Sequence, residues 1–259
     1  MKYDVIKDKL AFLIDLVPSV RVLFYKLLHM LFLREWYIQA KIKKYFPPSF
    51  PIRFYDAGAG FGQYSYFILK HWNQARVLAV DLKTDYMDSF KVYAEDRGWE
   101  QFKCRQADLQ DYVPKGKYDL ILAVDILEHI EDDVQVMKNF REALSTGGKL
   151  IISSPSNLDK AAEFTEEHVR AGYSKADIIS KLESAGFKIV SFEYSYGFWG
   201  HLYWLLALKT PMNILKKSML LFPLLIPYYL VTYPLSHVFM HLDMKAGNTK
   251  GTGIIVVAE

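Results

Sequence analysis

Three glycines spaced by two, Gly58, Gly60 and Gly62, follow an apolar run, Ile52 to Tyr55, that ends in Asp56. A helix-like segment, Gln63 to His71, comes next, so the order reads strand, glycine turn, helix. Glycine is needed where the backbone takes positive φ or a ligand approaches closely. The free N–H groups at the start of the following helix suit polar or anionic ligand groups. Three more aspartates, Asp81, Asp108 and Asp125, fall at or near the ends of other apolar runs. In an open parallel sheet such ends line one crevice. A carboxylate at Asp81 can accept from both hydroxyls of a ribose, and one at Asp108 from an adenine amino group. Asp56 can brace the loop or receive a ligand ammonium.

A dinucleotide dehydrogenase is the natural competitor. Its fingerprint is G-x-G-x-x-G, whereas the spacing here is G-x-G-x-G with Asp56 just before it. A carboxylate there repels a pyrophosphate and suits a zwitterionic amino-acid tail. The loop therefore favours a nucleoside carrying an amino acid over a nicotinamide cofactor, NAD(P). A membrane-associated binding protein that keeps the fold without catalysis is a further alternative.

Alternating elements must position these residues. Strands are expected at Ile52–Asp56, Arg76–Asp81, Phe102–Gln106, Tyr118–Val124, Lys149–Ser153, Phe187–Tyr194 and Gly253–Ala258. Helices are expected near Asp85–Asp96, from Glu131 to Leu144 with Gly147-Gly148 ending it, and from Ser174 to Ala185-Gly186. Repeated βα units mean a mostly parallel sheet covered on both faces. Residues 3–46 show a helical period with a break near Pro18, and Pro47-Pro48-Ser-Phe-Pro51 makes a stiff linker.

The 259-residue chain is 51% hydrophobic and 24% charged, which allows one α/β domain with additions. A net charge of +3 is too weak to imply nucleic acid. A single cysteine, Cys104, excludes an internal disulfide and a cysteine-rich zinc site, and no histidine–carboxylate cluster has metal-ligand spacing. The first 30 residues lack an apolar core of signal-peptide type, so no secretion signal is expected.

Residues 52–195 resemble a class I S-adenosylmethionine-dependent methyltransferase. The matching pieces are Asp56-Ala-Gly-Ala-Gly-Phe-Gly62, Val80-Asp-Leu82, Ala107-Asp-Leu109, Tyr118 to Ile130 with its Asp125-Ile-Leu-Glu-His-Ile end, and Leu144-Ser-Thr-Gly-Gly-Lys-Leu-Ile-Ile152. The segments His168 to Ser174 and Leu182 to Phe187 are similar to the family's region after strand five. The resemblance implies a Rossmann-like seven-stranded sheet, mostly parallel with an antiparallel last strand, and S-adenosyl-L-methionine as cofactor. It gives Gly58, Gly60 and Gly62 to the methionine part, Asp81 to the ribose, and Asp108 with Leu109 to the adenine. Asp56, Ala57, Leu82, Ala107, Val124 and Asp125 count with them as cofactor-binding positions, and Leu127 to His129 border the methyl group. The Asp-x-Leu-Glu-His-Ile form is nearest to the quinone-biosynthesis and small-molecule branch. His129, Glu128 and His168 are the candidates for a catalytic base, and Arg170 for pairing with a substrate anion.

Residues 197–250 lie outside the minimal fold. Gly197 to Leu208 is aromatic and apolar, and Ser218 to Leu242 carries no Asp, Glu, Lys or Arg. The second stretch is long enough to span a bilayer, but the chain must return to the same sheet at Gly253–Ala258. Pro223, Pro227 and Pro234 are also expected to break a single helix. The expectation is therefore a set of broken helices forming a lid over the site. Its outer apolar surface would make a peripheral contact with a membrane, and a hydrophobic small molecule would be the substrate. The chain then divides into an N-terminal helical cap (1–50), a cofactor-binding domain (51–196 plus 251–259) and the hydrophobic insertion (197–250). A cytoplasmic protein at the inner face of a membrane is expected.

Overall fold

The computed structural model describes residues 18–83, 85–158 and 169–259. The helix expected across 3–17, and His168, lie outside the described residues. Helices α1 (Pro18–Leu31) and α2 (Leu33–Tyr45) precede strand β1 (Arg53–Ala57) and helix α3 (Gln63–His71). Then come β2 (Arg76–Asp81), α4 (Asp85–Asp96), β3 (Phe102–Gln106), β4 (Tyr118–Val124), α5 (Asp133–Ala143) and β5 (Leu144–Pro155). After α6 (Lys175–Ser184) and β6 (Ile189–Ser195) the insertion contains α7 (Phe198–Trp204), a π turn (Leu205–Lys209), α8 (Thr210–Lys217) and a 3-10 turn (Met219–Leu224). It ends in α9 (Leu225–Lys245), which leads to β7 (Gly253–Ala258).

The strands form one seven-stranded sheet in the order β3-β2-β1-β4-β5-β7-β6. Only β7 runs against its neighbours, β5 and β6, as the resemblance implies. The order reverses between β1 and β4, so the crevice of a doubly wound sheet opens above their carboxyl ends. The central strands are mostly apolar because helices cover both faces. On one face α1 to α4 and the insertion bury Leu33, Ile38, Phe54, Trp72, Phe90, Tyr203 and Met240. On the other, α5 and α6 bury Tyr55, Val136, Phe140, Tyr173 and Leu182.

Three expectations need correction. The helix before β5 starts later, because the Asp132 carboxylate accepts from the Gln135 N–H at 2.9 Å and caps it. Gly147-Gly148 does not end that helix. The chain enters β5 directly at Leu144, and the register shifts opposite Tyr118 and Leu120. Gly147, at φ 76°, lies within the resulting irregularity. Finally, Pro234 does not break α9, which runs 21 residues through it. Pro234 and Leu230, whose carbonyl loses its partner, are both on the exposed face. Pro227 falls in the first turn, where its missing N–H has no partner to lose.

The insertion is fastened by one buried carboxylate. Asp243, near the end of α9, is fully buried. It accepts from Tyr37 Oη at 2.9 Å, the Tyr196 N–H at 3.1 Å and the Gly200 N–H at 2.9 Å. These bonds join α9, α2 and the start of α7. Replacing Asp243 with alanine leaves these donors without the carboxylate, and a buried unpaired donor costs about 1–3 kcal/mol. Urea unfolding of Asp243→Ala should therefore show a loss of about 3 kcal/mol or more; a loss below about 1 kcal/mol would mean that the insertion is held by packing alone.

Candidate active site

Gly58, Gly60 and Gly62 have φ of 76°, 51° and 75°, which L side chains rarely adopt. A Cβ on Gly58 would lie 2.8 Å from Ile126 Cγ1. The loop is anchored below by the Gly58 and Ala59 N–H groups, which donate to Val80 O at 2.8 and 3.1 Å. From above, Tyr25 Oη of α1 donates to Phe61 O, so α1 lies over the loop.

Of the two roles open to Asp56, the structure shows the brace. It is 2% exposed, and its Oδ2 accepts from Ser65 N–H at 3.1 Å and Ser65 Oγ at 2.7 Å. Burial raises its pKa to about 7, against the lowering effect of the Ser65 bonds. Asp81 reaches across to the loop: its Oδ2 accepts from Gly60 N–H at 2.9 Å and its Oδ1 from Lys83 N–H at 3.0 Å. A carboxylate has about four lone-pair sites, so acceptor capacity is left for a ligand. Asp108 Oδ1 accepts from the Gln110 N–H at 2.9 Å.

A crevice of about 370 Å³ opens here, lined by Gly58, Asp81, Leu82, Asp108, Leu109 and His129 among others. The structure thus brings together six of the residues singled out in the sequence. Ala57 is buried at the end of β1, Gly62 is buried under Phe90, and Ala107 and Val124 are half-buried nearby. Gln110, Ile126 and Ile130 also line the crevice and were missed. Ile126 and Ile130 fall inside the Tyr118–Ile130 stretch that carries the resemblance, whereas nothing in the sequence separates Gln110 from an ordinary loop residue. A larger cavity, about 830 Å³, lies at the opposite rim around Lys117, Arg141 and Glu259. It holds none of the residues above.

Glu128 and Arg170 do not sit as expected. Glu128 is 1% exposed; its Oε2 accepts from Ser154 Oγ at 3.0 Å and its carbonyl from the Val169 N–H at 3.1 Å. Burial raises its pKa. Arg170 donates to Leu127 O and Ile130 O, both at 2.6 Å, and pairs with Asp133 at 3.3 Å. It clamps the Leu127–His129 turn and is not turned to a substrate anion.

Asp125 faces a second cavity, of about 210 Å³, bordered by Phe32, Arg34, Ser154, Tyr196, Trp204 and Leu208 among others. Its φ of 47° is unusual for a non-glycine residue, and its side chain forms an ion pair with Arg34 of α2. Asp125 lines this cavity and the next residue, Ile126, lines the crevice, so the two are neighbours. Arg34 was missed, because nothing local separates it from a surface arginine.

The buried Asp56 makes stability depend on pH. Folded, it keeps its proton up to about pH 7; unfolded, it loses it near pH ~4. The stability it adds is full below the unfolded value and is lost as pH rises through the folded one. Asp56→Asn keeps an acceptor for Ser65 and stays neutral. The stability difference between variant and wild type should move in the variant's favour between about pH 5 and pH 8, by about 1 kcal/mol or more in urea unfolding. A difference independent of pH would contradict the assignment.

Comparison with known proteins bears on this site. Residues 55–150 match the model of a methyltransferase domain family. Over 105 residues the chain is 30% identical to the trans-aconitate 2-methyltransferase of Azoarcus sp. (strain BH72), covering 40% of each chain. Over 111 residues it is 29% identical to the ubiquinone biosynthesis O-methyltransferase of Coxiella burnetii, covering 42% of this chain and 46% of that one. The chain thus spans less than half the length of these relatives. In fold it is similar to an S-adenosylmethionine-dependent methyltransferase from Mesorhizobium loti, with a TM-score of 0.54 at 18% identity, over 85% of this chain and 95% of the other. The sheet order and the family match lead to one assignment: residues 55–150 form a methyltransferase domain, carried on the Rossmann-like sheet described above.

Proposed function

We propose that this protein transfers a methyl group from S-adenosylmethionine to a hydrophobic small molecule held in the second cavity. The observation that carries this reading is the position of that cavity. It adjoins the crevice at Asp125–Ile126, and its aromatic and aliphatic border, Phe32, Tyr196, Trp204 and Leu208, comes from segments outside the matched domain. When bound, the cofactor supplies a methyl group already activated on a positively charged sulfur.

The chain's task is then mostly alignment. The glycine loop admits the methionine part, Asp81 accepts from the ribose, and Asp108 with Leu109 takes the adenine. His129, half-buried on the crevice wall, takes the base role if the acceptor must lose a proton. Glu128, sealed and bonded to Ser154, supports the turn instead. Helices α1 and α2 act as a cap, and residues 197–250 as a lid. Relatives named for ubiquinone biosynthesis and for trans-aconitate support a small-molecule acceptor.

The lid also supplies a surface for contact with the inner face of a membrane. Leu220 is 89% exposed, Leu230 75% and Val231 78%, and Ile226, Leu235 and Val238 extend the apolar face. No acidic residue occurs from 197 to 242, while Lys209, Lys216 and Lys217 stand beside the face. This combination suits a helix lying on anionic lipid. No helix among the described residues is long and apolar enough to cross a membrane.

Calorimetric titration with S-adenosylhomocysteine should show binding that Asp81→Ala weakens about 10- to 100-fold, as expected for a lost hydrogen bond to a charged group. Unchanged affinity in the variant would remove Asp81 from the ribose role. In flotation with vesicles containing anionic lipid, the wild type should rise with the vesicles. The double variant Leu230→Asp/Val231→Asp should stay behind while keeping its S-adenosylhomocysteine affinity. Equal flotation of both would dismiss the membrane contact.

A further inference from the structure

The second cavity combines two chemistries. Phe32, Pro155, Trp204 and Leu208 are apolar, whereas Arg34, Ser153 and Thr252 carry hydrogen-bond donors. Arg34 is the cation in this lining. Its position is fixed from three directions: its backbone N–H donates to Tyr196 Oη at 3.3 Å, its guanidinium pairs with Asp125, and the same group lies 5.6 Å from the Phe32 ring centroid. Its Nε is buried and has no hydrogen-bond partner.

A guanidinium carries five N–H donors in a planar fork. The ion pair with Asp125 is made through Nη1, which leaves donor capacity unused beside an apolar wall. Nε is sealed from the cavity, so Nη2, which makes no hydrogen bond among the described residues, is the donor left for a ligand oxygen. The other carboxyl groups close enough to act on Arg34 are Glu35 and Glu128. They are 4% and 1% exposed, and burial raises the pKa of each, which weakens the negative charge they set against a ligand.

We infer that the acceptor is an amphiphilic acid whose carboxylate is held by Arg34 and whose apolar body lies along Trp204 and Leu208. This rests on the reading of the second cavity as the acceptor site. A carboxylate matches the planar fork in two-bonded geometry and joins Asp125 as a second acceptor. An amine would have to share Asp125 with the arginine and would find no second acceptor of that kind in the lining; a carboxylate sets its charge beside Asp125 but meets a donor that the arginine leaves unused. A neutral alcohol would use only one of the free donors.

The test is calorimetry on the full chain saturated with S-adenosylhomocysteine, using decanoate, decylamine and decanol as probes of equal chain length. Decanoate should bind at least about tenfold more tightly than the other two, the difference expected of charge-assisted bonds. Arg34→Gln should lose that preference while retaining S-adenosylhomocysteine binding, and Arg34→Lys should restore part of it. The inference is overturned if the three probes bind the wild type alike, if none binds, or if Arg34→Gln leaves decanoate affinity unchanged. Should Arg34→Gln fail to fold, the ranking of the three probes on the wild type decides. Absence of S-adenosylhomocysteine binding to the wild type would instead count against the cofactor site. Bound S-adenosylhomocysteine with no headgroup preference would leave that site standing and remove only the acid.

Discussion

A carboxylate sealed at the end of β1 sets the geometry of the working rim. Asp56 accepts both the N–H and the hydroxyl of Ser65, and so pins the first turn of α3 to the strand end. The residues between must reverse direction in a very short span. They do so through left-handed positions at 58, 60 and 62 that glycine alone fills without strain. The cost is a buried acid held near neutrality, offset by two short bonds. What results is a loop whose Gly60 N–H is met by Asp81 across the crevice. Movement at Asp56 would therefore shift the Asp81 carboxylate as well as the turn.

Around that core the protein adds its own half of the site. α2 brings Arg34 and Phe32, and the insertion brings Trp204 and Leu208. Neither segment belongs to the matched domain. Both are tied to the sheet by polar contacts: buried Asp243 joins α9 to Tyr37 and Gly200, and Lys41 of α2 pairs with the partly exposed Glu193 of β6. The strained backbone of Asp125 stands where these additions meet the shared fold. Such strain is kept only where surrounding contacts hold it; here the Asp125 N–H donates to Ser153 O at 2.9 Å and its side chain pairs with Arg34. The crevice thus belongs to the matched domain, while the second cavity, proposed above to take the acceptor, is bordered largely by the parts that surround it.

The sequence was most readable where its signal is local. β2, β3, β4 and β7 have the bounds expected from apolar runs closed by Asp, Gly or polar residues. The glycine loop and Asp81 were visible because a strand, a turn and a helix start each leave a short-range mark. Pairings over long distance left none. Arg34 meets Asp125, and Glu128 meets Ser154, only because strand order brings them together. The irregularity in β5 was hidden for a related reason: a glycine pair looks the same whether it ends a helix or bends a strand. Pro234 misled because the cost of a helical proline depends on which face it occupies, and the outer face of α9 tolerates it.

If the crevice and the second cavity are the donor and acceptor halves of one methyl-transfer site, a crystal structure of the S-adenosylhomocysteine complex will show adenosine between Asp81 and Asp108, with the sulfur directed past Ile126 toward the Arg34–Asp125 cavity. A sulfur atom facing bulk solvent or the opposite rim, with that cavity closed off from it, would rule this pairing out.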